Sequence, residues 1–198
     1  MHAGPNNGNL VRFVFPTDLG WMALVMRGET ALRLSFAHRS AKAATAALNA
    51  TGSDESPVEV IEAEEHWLAR RLAAYATGAE DKFNDVAIDL GPRVTTFVQR
   101  VTDRCRRIGW GKTSSYGQLA AAVGMPRAAR AVGGVMARNP LAIIVPCHRV
   151  LASGGRLGGY SMGTGLPIKR RLLALESVGK SPFAPGAKET EFAGSAVR

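Results

Sequence analysis

The chain has 198 residues, 46% of them hydrophobic, and a formal net charge of +9. This length suffices for one sizeable core or two small ones, and no apolar run approaches the ~18 residues of a membrane span. The first nine residues lack a basic stretch followed by an apolar one, and two cysteines are too few for a disulfide framework. We therefore expect an intracellular protein, not a secreted or membrane protein.

The first ninety residues predict a small α+β unit. Three β-type runs, at residues 11–15, 21–26 and 30–36, open it, and a hairpin turn at Gly28 separates the last two. Residues 37–56 predict a loop or a weak helix. A helix is expected over residues 57–77, with Ser56 as its candidate cap and Gly78 as its end.

Gly91-Pro92 marks the expected boundary of a second unit, residues 91–180. Apolar residues at helical spacing predict a helix over 94–108. Two short helices, 115–123 and 127–138, flank a turn at Gly124, and Asn139-Pro140 ends the second. A buried strand at 141–145, a glycine-rich loop at 153–165 and a last helix at 166–177 complete the unit. We expect residues 181–198 to form a disordered tail.

The charge is concentrated in this second unit. Residues 1–90 carry 8 Lys/Arg and 12 Asp/Glu, whereas residues 91–180 carry 15 Lys/Arg and only two acids, Asp103 and Glu176. Such a segment is typical of a protein that binds a polyanion, but also of a solvated basic face. Charge alone leaves the two interpretations about equal. The four His and two Cys lack zinc-finger spacing, so we expect no structural metal.

The two cysteines differ in their sequence surroundings. Cys105 lies on the apolar stripe of a predicted helix and is most simply a core residue. Cys147 precedes His148 and Arg149, whose positive groups would favour a thiolate and lower the pKa of Cys147. Neighbours on a strand point to opposite faces, so this pair alone is a weak indication of a nucleophile. A reactive Cys147 should be ionised and exposed at a cavity.

Three other features each have a structural and a functional interpretation. The helix pair over 115–138 is an αα-hairpin packed by its alanines, or a helix-turn-helix whose small residues approach a nucleic-acid groove. Residues 158–161, Gly-Gly-Tyr-Ser, are a flexible loop, or a loop whose backbone amides face a ligand. Glu176, among Lys and Arg side chains, is most simply a surface carboxylate in an ion pair.

In their order, these motifs resemble one family. From about Phe97 to Glu176 the chain resembles the O6-alkylguanine-DNA alkyltransferases. The motifs that carry the resemblance are, in order, Ser-Tyr-Gly-x-Leu-Ala, Ala-Ala-Arg-Ala-Val-Gly, Asn-Pro, Pro-Cys-His-Arg-Val, Gly-Tyr and Leu-Leu-x-Leu-Glu. The resemblance implies an α+β fold, with a ribonuclease-H-like α/β domain at 1–90 and a mostly helical domain with a helix-turn-helix at 91–180. It also implies direct-reversal DNA repair, in which an alkyl group passes irreversibly from O6-alkylguanine to the protein's own cysteine, once per molecule.

The resemblance assigns chemical roles to single residues. It makes Cys147 the alkyl acceptor, which His148 activates through a water molecule, and it makes Glu176 the group that polarises His148. It gives Asn139 a bracing role by hydrogen bonding and makes Tyr116 a donor to the guanine ring. The remaining residues that it places along the base pocket are Val150, Tyr160 and Ser161.

The resemblance also implies the partner and the interface. The partner is double-stranded DNA that contains alkylated guanine, and Arg130 fills the space left by the extruded nucleotide. The other expected DNA contacts are Arg127, Ala129, Gly133 and Arg138. We expect a monomer that uses no cofactor, binds no membrane, and lies in the cytoplasm of a bacterium or archaeon or in the nucleus of a eukaryote. The loop at 160–167 is longer and less glycine-pure than usual, which leaves alkyl size preference and the exact role of Ser161 open. The sequence also leaves activity on O4-alkylthymine open.

Two alternatives remain at this point. An alkyltransferase-like protein would bind the lesion without repairing it, although such relatives replace the reactive cysteine. A cysteine hydrolase using Cys147 and His148 would need an oxyanion hole and repeated turnover, and would leave the basic helix pair without a purpose.

Overall fold

A four-stranded sheet and two helices form the first half of the molecule in this computed structural model, which describes residues 8–50 and 57–177. The strands are β1 (Leu10–Phe15), β2 (Trp21–Arg27), β3 (Thr30–His38) and β4 (Val58–Val60); the helices are α1 (Ala41–Asn49) and α2 (Trp67–Ala76). The sheet order is β3-β2-β1-β4. β1 and β3 pair antiparallel with β2, and β4 pairs parallel with β1.

The two faces of this sheet bury different side chains. Phe13 and Phe15 join the main core, while Val14 and Ala23 form a small cluster with Leu48 of α1. This division follows from the alternation of side chains along a strand. The sheet therefore lies between α1 and the main core.

The second half is mostly helical. Its helices are α3 (Thr96–Arg106), α4 (Tyr116–Ala122), α5 (Ala129–Ala137) and α6 (Leu166–Leu175); its short parallel strands are β5 (Ser114–Ser115) and β6 (Val150–Leu151). Thr95 caps α3, and Ser115 and Gln118 form a capping box at the start of α4. α4 packs against α5, and both contact α3. These four helices lie within the ranges predicted from the sequence.

One main hydrophobic cluster runs through both halves. It includes Phe15 and Tyr75 from the first half and Cys105, Val132 and Leu172 from the second. Cys105 is fully buried there, as predicted. The division of the chain into domains at residue 91 stays a prediction. Within the described segments, no helix has the length and apolar character needed to cross a membrane.

One prediction for the first half needs correction, and one pair of alternatives is resolved in favour of a helix. The helix expected from residue 57 begins at Trp67, because residues 58–60 pair with β1 as a strand. His66, whose Nδ1 accepts a hydrogen bond from the Leu68 amide at 3.2 Å, caps this helix. The candidate cap Ser56 lies outside the described residues. Residues 41–49, expected as a loop or weak helix, form the regular helix α1, which Ser40 caps.

The strand predicted at residues 141–145 is wrong, since this segment is a tight turn. The Val145 amide donates to the Leu141 carbonyl at 2.8 Å, and Ile143 within the turn has a φ of +74°. All five residues are buried, which accounts for their apolar composition. The composition predicted burial correctly but not backbone conformation. The predicted tail at 181–198 lies outside the described residues.

Candidate functional site

Cys147 begins a short 3-10 helix, Cys147–Arg149, directly after this turn. The residue is only 3% exposed. Asn139 donates from Nδ2 to Cys147 Sγ at 3.2 Å and to the Val145 carbonyl at 2.8 Å. The thiol also lies 3.9 Å from the Tyr160 hydroxyl. Asn139 thus ties the sulfur to the preceding turn.

The expectation of an ionised, exposed sulfur is wrong for the free protein. Burial raises the pKa of the Cys147 thiol, against the opposing effects of Asn139, Tyr160 and the charge of Lys169. The sequence argument failed because burial dominates at the sulfur, and because His148 Nε2 and the Arg149 guanidinium bind Glu176. The resting cysteine is therefore a protonated, protected thiol.

Glu176 follows α6 directly and is buried, so its interpretation as a surface carboxylate is wrong. Its Oε1 accepts hydrogen bonds from His148 Nε2 and Arg149 Nη2, both at 2.8 Å, and its Oε2 accepts one from Arg149 Nε at 2.8 Å. Burial alone would raise the pKa of Glu176, but His148 and Arg149 together lower it to about 2. The carboxylate is ionised at neutral pH.

His148 is fully buried, and this burial lowers its pKa despite the adjacent Glu176. The ring is therefore neutral at pH 7, and Arg149 is the positive partner that keeps Glu176 ionised. A neutral ring that donates from Nε2 to Glu176 carries a lone pair on Nδ1. Among the described residues, Nδ1 has no hydrogen-bond partner. An imidazole with a free basic nitrogen and a carboxylate behind it thus follows Cys147 in the chain.

Sequence reasoning missed two residues of this network. Arg149 was interpreted as a neighbour of the thiol, whereas it binds Glu176 and donates to the Ile108 carbonyl at 2.5 Å. Tyr75, on α2 in the first half of the chain, donates from its hydroxyl to Glu176 Oε1 at 2.7 Å. No local pattern indicates the partner of Tyr75, because the two residues are 101 positions apart.

Lys169 was also missed. Its side chain is fully buried, and Nζ donates to the carbonyls of Val150 and Leu157 at 2.7 and 2.5 Å. Burial lowers the pKa of Lys169 to about 8. The position of Lys169 in the helix could have indicated its burial, because it precedes the buried Leu172 by three residues and so lies on the same face. Arg170, the next residue, is exposed. Within the described segments, no cluster of His, Cys, Asp or Glu could hold a metal ion.

The predicted base-pocket residues lie around the loop that follows β6. The half-buried ring of Tyr116 packs against Gly158. A side chain at this position would crowd the ring, because its Cβ would lie only 3.3 Å away. The Tyr116 hydroxyl donates to the Gly159 carbonyl at 3.5 Å, and Tyr160 extends from the same loop towards Cys147. The structure therefore brings Tyr116, Tyr160 and Cys147 to one place.

The other two predicted pocket residues differ in exposure. Val150 is fully buried in β6. Ser161 is exposed, and its hydroxyl donates to the Ala137 carbonyl at the end of α5 at 2.8 Å. Ser161 thus links the loop to α5.

The predicted DNA contacts lie on or beside α5. Arg127, Arg130 and Arg138 are exposed, and Ala129 is the first residue of the helix. A Cβ at Gly133 would lie 4.0 Å from the Tyr116 ring. Since α5 has no side-chain cap at its start, its first backbone amides are open to an acceptor.

Positive charge also lines a neighbouring cleft that sequence reasoning did not single out. Three exposed arginines recur at helical spacing here: Arg100 and Arg104 on α3, and Arg107 directly after it. Together with Asp103 and the end of α4 they line a cleft of about 330 Å³. The basic surface therefore extends beyond α5.

Comparison with known proteins identifies the family. A model described as "6-O-methylguanine DNA methyltransferase, DNA binding domain" matches residues 96–178. The methylated-DNA–protein-cysteine methyltransferase of Methanosarcina acetivorans is 43% identical over 124 residues, which is 62% of this chain and 76% of that protein. This chain belongs to the methylated-DNA–protein-cysteine methyltransferase family.

Other members of the methyltransferase family support the assignment. The methylated-DNA–protein-cysteine methyltransferase of Mycobacterium tuberculosis is 50% identical over 106 residues, 54% of this chain and 61% of that protein. The crystal structure of M. tuberculosis OGT in complex with DNA has a TM-score of 0.67 at 33% identity, covering 84% of this chain and 93% of that chain. The mixed α+β fold is shared over most of both chains. Residues 96–178 contain every residue of the Cys147 site described above except Tyr75.

Proposed function

We propose that this protein repairs DNA by transferring the alkyl group of O6-alkylguanine to Sγ of Cys147. The observation that carries the proposal is the 2.8 Å contact between His148 and Glu176 beside the cysteine of a family member. The relatives' names specify methylated DNA and a protein cysteine as the reactants, and M. tuberculosis OGT has been crystallised with DNA.

His148 is the proposed base. Its free Nδ1 would take the thiol proton of Cys147 through a water molecule, while Glu176 stabilises the imidazolium that forms. The raised pKa of Cys147 fits this scheme, because the thiolate then forms as the reaction proceeds and the resting sulfur stays protected. Asn139, which donates to Sγ, would hold the sulfur in position and stabilise its negative charge.

The transfer itself would be an in-line displacement at the alkyl carbon. The bond from Sγ to carbon forms while the bond from carbon to O6 breaks, and the electron pair goes to guanine. The Tyr116 hydroxyl would stabilise this developing charge. Guanine then takes up one proton, so that the thiol hydrogen replaces the alkyl group overall. The damaged DNA supplies the alkyl group, so the scheme needs no cofactor.

We further propose that each molecule reacts once. The product is a thioether, which has no thiolate character and is a poor leaving group. Only the alkyl carbon of the substrate must touch Sγ, so a narrow opening at the largely buried Cys147 suffices. We extend the proposal to O4-alkylthymine, because that base also carries its alkyl group on an exocyclic oxygen.

For DNA binding we propose that α4 and α5 form a helix-turn-helix. A base inside a duplex must be extruded before it can react, at a cost of a few kcal/mol. Arg130 would occupy the vacated space, while Arg127 and Arg138 contact phosphates. The small residues Ala129 and Gly133 would let α5 approach the groove closely. The exposed arginines and uncapped amides of α5 support this assignment.

For the first ninety residues we propose a ribonuclease-H-like unit. The sheet order β3-β2-β1-β4, with β4 parallel to β1 and α1 against one face, supports it. We propose that the protein acts as a monomer, since the scheme above needs one Cys147 site and one α5.

Mass spectrometry after incubation with a duplex containing O6-methylguanine tests the proposal. We expect each molecule to gain one methyl group, located on Cys147, and no more with excess DNA. Cys147→Ala should gain none while keeping its DNA affinity. Tight lesion binding with unchanged mass would indicate a lesion-binding protein instead, and repeated turnover of a thioester would indicate a hydrolase. A duplex containing O4-methylthymine tests the second base.

The proposed role of Arg130 has its own test. Arg130→Ala should reduce extrusion of the damaged base, followed by the fluorescence of a base analogue, more than it reduces overall DNA affinity. The control Arg127→Ala should lower affinity for damaged and undamaged duplex equally and reduce the salt dependence of binding. Equal losses of extrusion and affinity in Arg130→Ala would contradict the stack-filling role.

A further inference from the structure

We propose that Tyr75 is a positioning residue of the transfer reaction, whose hydroxyl fixes the Glu176 carboxylate and through it sets the basicity of His148. This inference rests on the proposed function. It adds to the site a residue from the first half of the chain, outside the segment that the family model matches. The first half would then take part in the chemistry directly.

The geometry places the Tyr75 hydroxyl at the centre of the network. It donates to Glu176 Oε1 at 2.7 Å and lies 3.4 Å from His148 Nε2. The same Oε1 accepts from His148 and Arg149. Tyr75 therefore shares with His148 the carboxylate oxygen that would stabilise the imidazolium.

Its surroundings fix the Tyr75 ring independently of the hydroxyl. The ring packs edge-on against Trp110 at 5.4 Å between centroids and lies 5.8 Å from Phe83. Packing alone would be served equally by phenylalanine, whereas a buried hydroxyl needs a partner. The hydroxyl and the ring can therefore be separated by mutation.

Tyr75 acts on Glu176 as a hydrogen-bond donor at every working pH. Its burial, followed by the nearby carboxylate of Glu176, raises the pKa of Tyr75 well above 10. By donating to Oε1, the Tyr75 hydroxyl reduces the negative charge that this oxygen offers to His148, and so weakens the hydrogen bond between Glu176 and His148. Without the hydroxyl, the carboxylate would be more basic, the imidazolium better stabilised and the pKa of His148 higher.

The other charged groups that act on His148 remain in place when the hydroxyl is removed. They are Lys169 on α6, Glu176 directly after α6, and Arg149, which follows His148 in the chain. Cys147 precedes His148 and is also unchanged. A difference between the wild type and Tyr75→Phe therefore reports the hydroxyl alone.

The test uses the full chain with the Tyr75→Phe substitution. Single-turnover rates of methyl transfer are measured from acid to alkaline pH, and the His148 pKa is measured by NMR in the DNA-free protein. On the acid limb we expect the rate to fall about tenfold for each unit by which the pKa of His148 rises, because a protonated ring cannot accept the thiol proton. The acid limb of the rate profile and the His148 pKa should both move to higher pH. Phe83→Leu, which alters packing on the same ring, should leave both unmoved.

A double-mutant cycle tests whether Tyr75 acts through Glu176. Tyr75→Phe should cost little in a Glu176→Gln background, because the carboxylate it positions is already gone. An undiminished cost there, a rate loss without a pH shift, or an unchanged rate would each overturn the proposal. If the wild type transfers no methyl group, the proposed function fails, and the NMR measurement alone then decides the role of Tyr75.

Discussion

Two arginine–carboxylate networks, one in each half of the molecule, have similar geometry and different surroundings. Arg71 binds Asp81 at 2.8 Å and Asp85 at 2.6 Å, and the Arg71 and Asp85 side chains are 28% and 70% exposed. Arg149 binds Glu176 through two nitrogens at 2.8 Å, and these side chains are 2% and 1% exposed. Contact distance does not distinguish the two networks, but burial does.

This difference decides what each network can do. Ions at the surface gain little from pairing, because water solvates them when they are apart, and exposed pairs are worth about 0–1 kcal/mol. The buried Glu176 has no such alternative, so removing it leaves Arg149 and His148 uncompensated. Glu176 also accepts from His148, which directly follows Cys147, the proposed alkyl acceptor, in the chain. Burial thus distinguishes the ion pair to which we assign a role in the proposed reaction.

The largest expected effect follows from breaking the buried network. Glu176→Ala should lower the free energy of unfolding by about 3–5 kcal/mol, because it leaves a buried guanidinium and imidazole without their acceptor. Urea denaturation followed by circular dichroism measures it. The control Glu80→Ala removes an exposed carboxylate and should change little. A loss below about 1 kcal/mol in Glu176→Ala would make the two networks equivalent.

Lys169 sharpens the comparison, because its partners are carbonyls and not a carboxylate. The pKa of Lys169 is about 8 in the folded protein and 10.5 for an ordinary lysine. Between these pH values the Lys169 amine is therefore mostly protonated in the unfolded chain and mostly neutral in the folded protein. The contribution of Lys169 to stability therefore increases as pH rises through this range. The unfolding free energy of the wild type minus that of Lys169→Met should grow by up to about 3 kcal/mol.

Urea denaturation at several alkaline pH values measures this difference. The exposed Lys82→Met serves as the control and should show no such trend. A wild-type-minus-variant difference that stays constant from pH 8 upward would mean that Lys169 is solvated in the folded protein.

The smallest effect is expected at the surface network. Asp85→Asn should lower the free energy of unfolding by less than about 1 kcal/mol, because Arg71 keeps Asp81 and water replaces the lost carboxylate. The difference should shrink further in high salt, which screens exposed pairs. A salt-independent loss as large as that of Glu176→Ala would show that burial is not what separates the networks.

Local patterns predicted most of the fold. The apolar periodicity of α3 to α6 and the caps of α3 and α4 are encoded in consecutive residues, as are the three opening strands. The turn at residues 141–145 was not predictable in this way, because its apolar residues suit any buried backbone. The start of α2 was also misplaced, since residues 58–60 become a strand only by pairing with β1.

The site was predicted where motifs carried it and missed where contacts cross the chain. The resemblance predicted four of the site residues, and the structure brings these together: Cys147, His148, Asn139 and Glu176. Lys169 and Tyr75 belong to no such motif, and their burial depends on elements that meet only in the folded protein. The pKa of Cys147 was misjudged for the same reason, because adjacent positive residues do not reveal which acceptor they face.

The backbone of Ile143 has a consequence for how the segment before Cys147 is held. A β-branched residue at a positive φ is strained by about 1–3 kcal/mol, and glycine would relieve that strain. The isoleucine side chain is almost completely buried, so hydrophobic packing outweighs the unfavourable dihedral. The buried Ile143 side chain thus anchors the segment that leads to the proposed nucleophile, and such an anchor would hold this segment in place without a bound substrate.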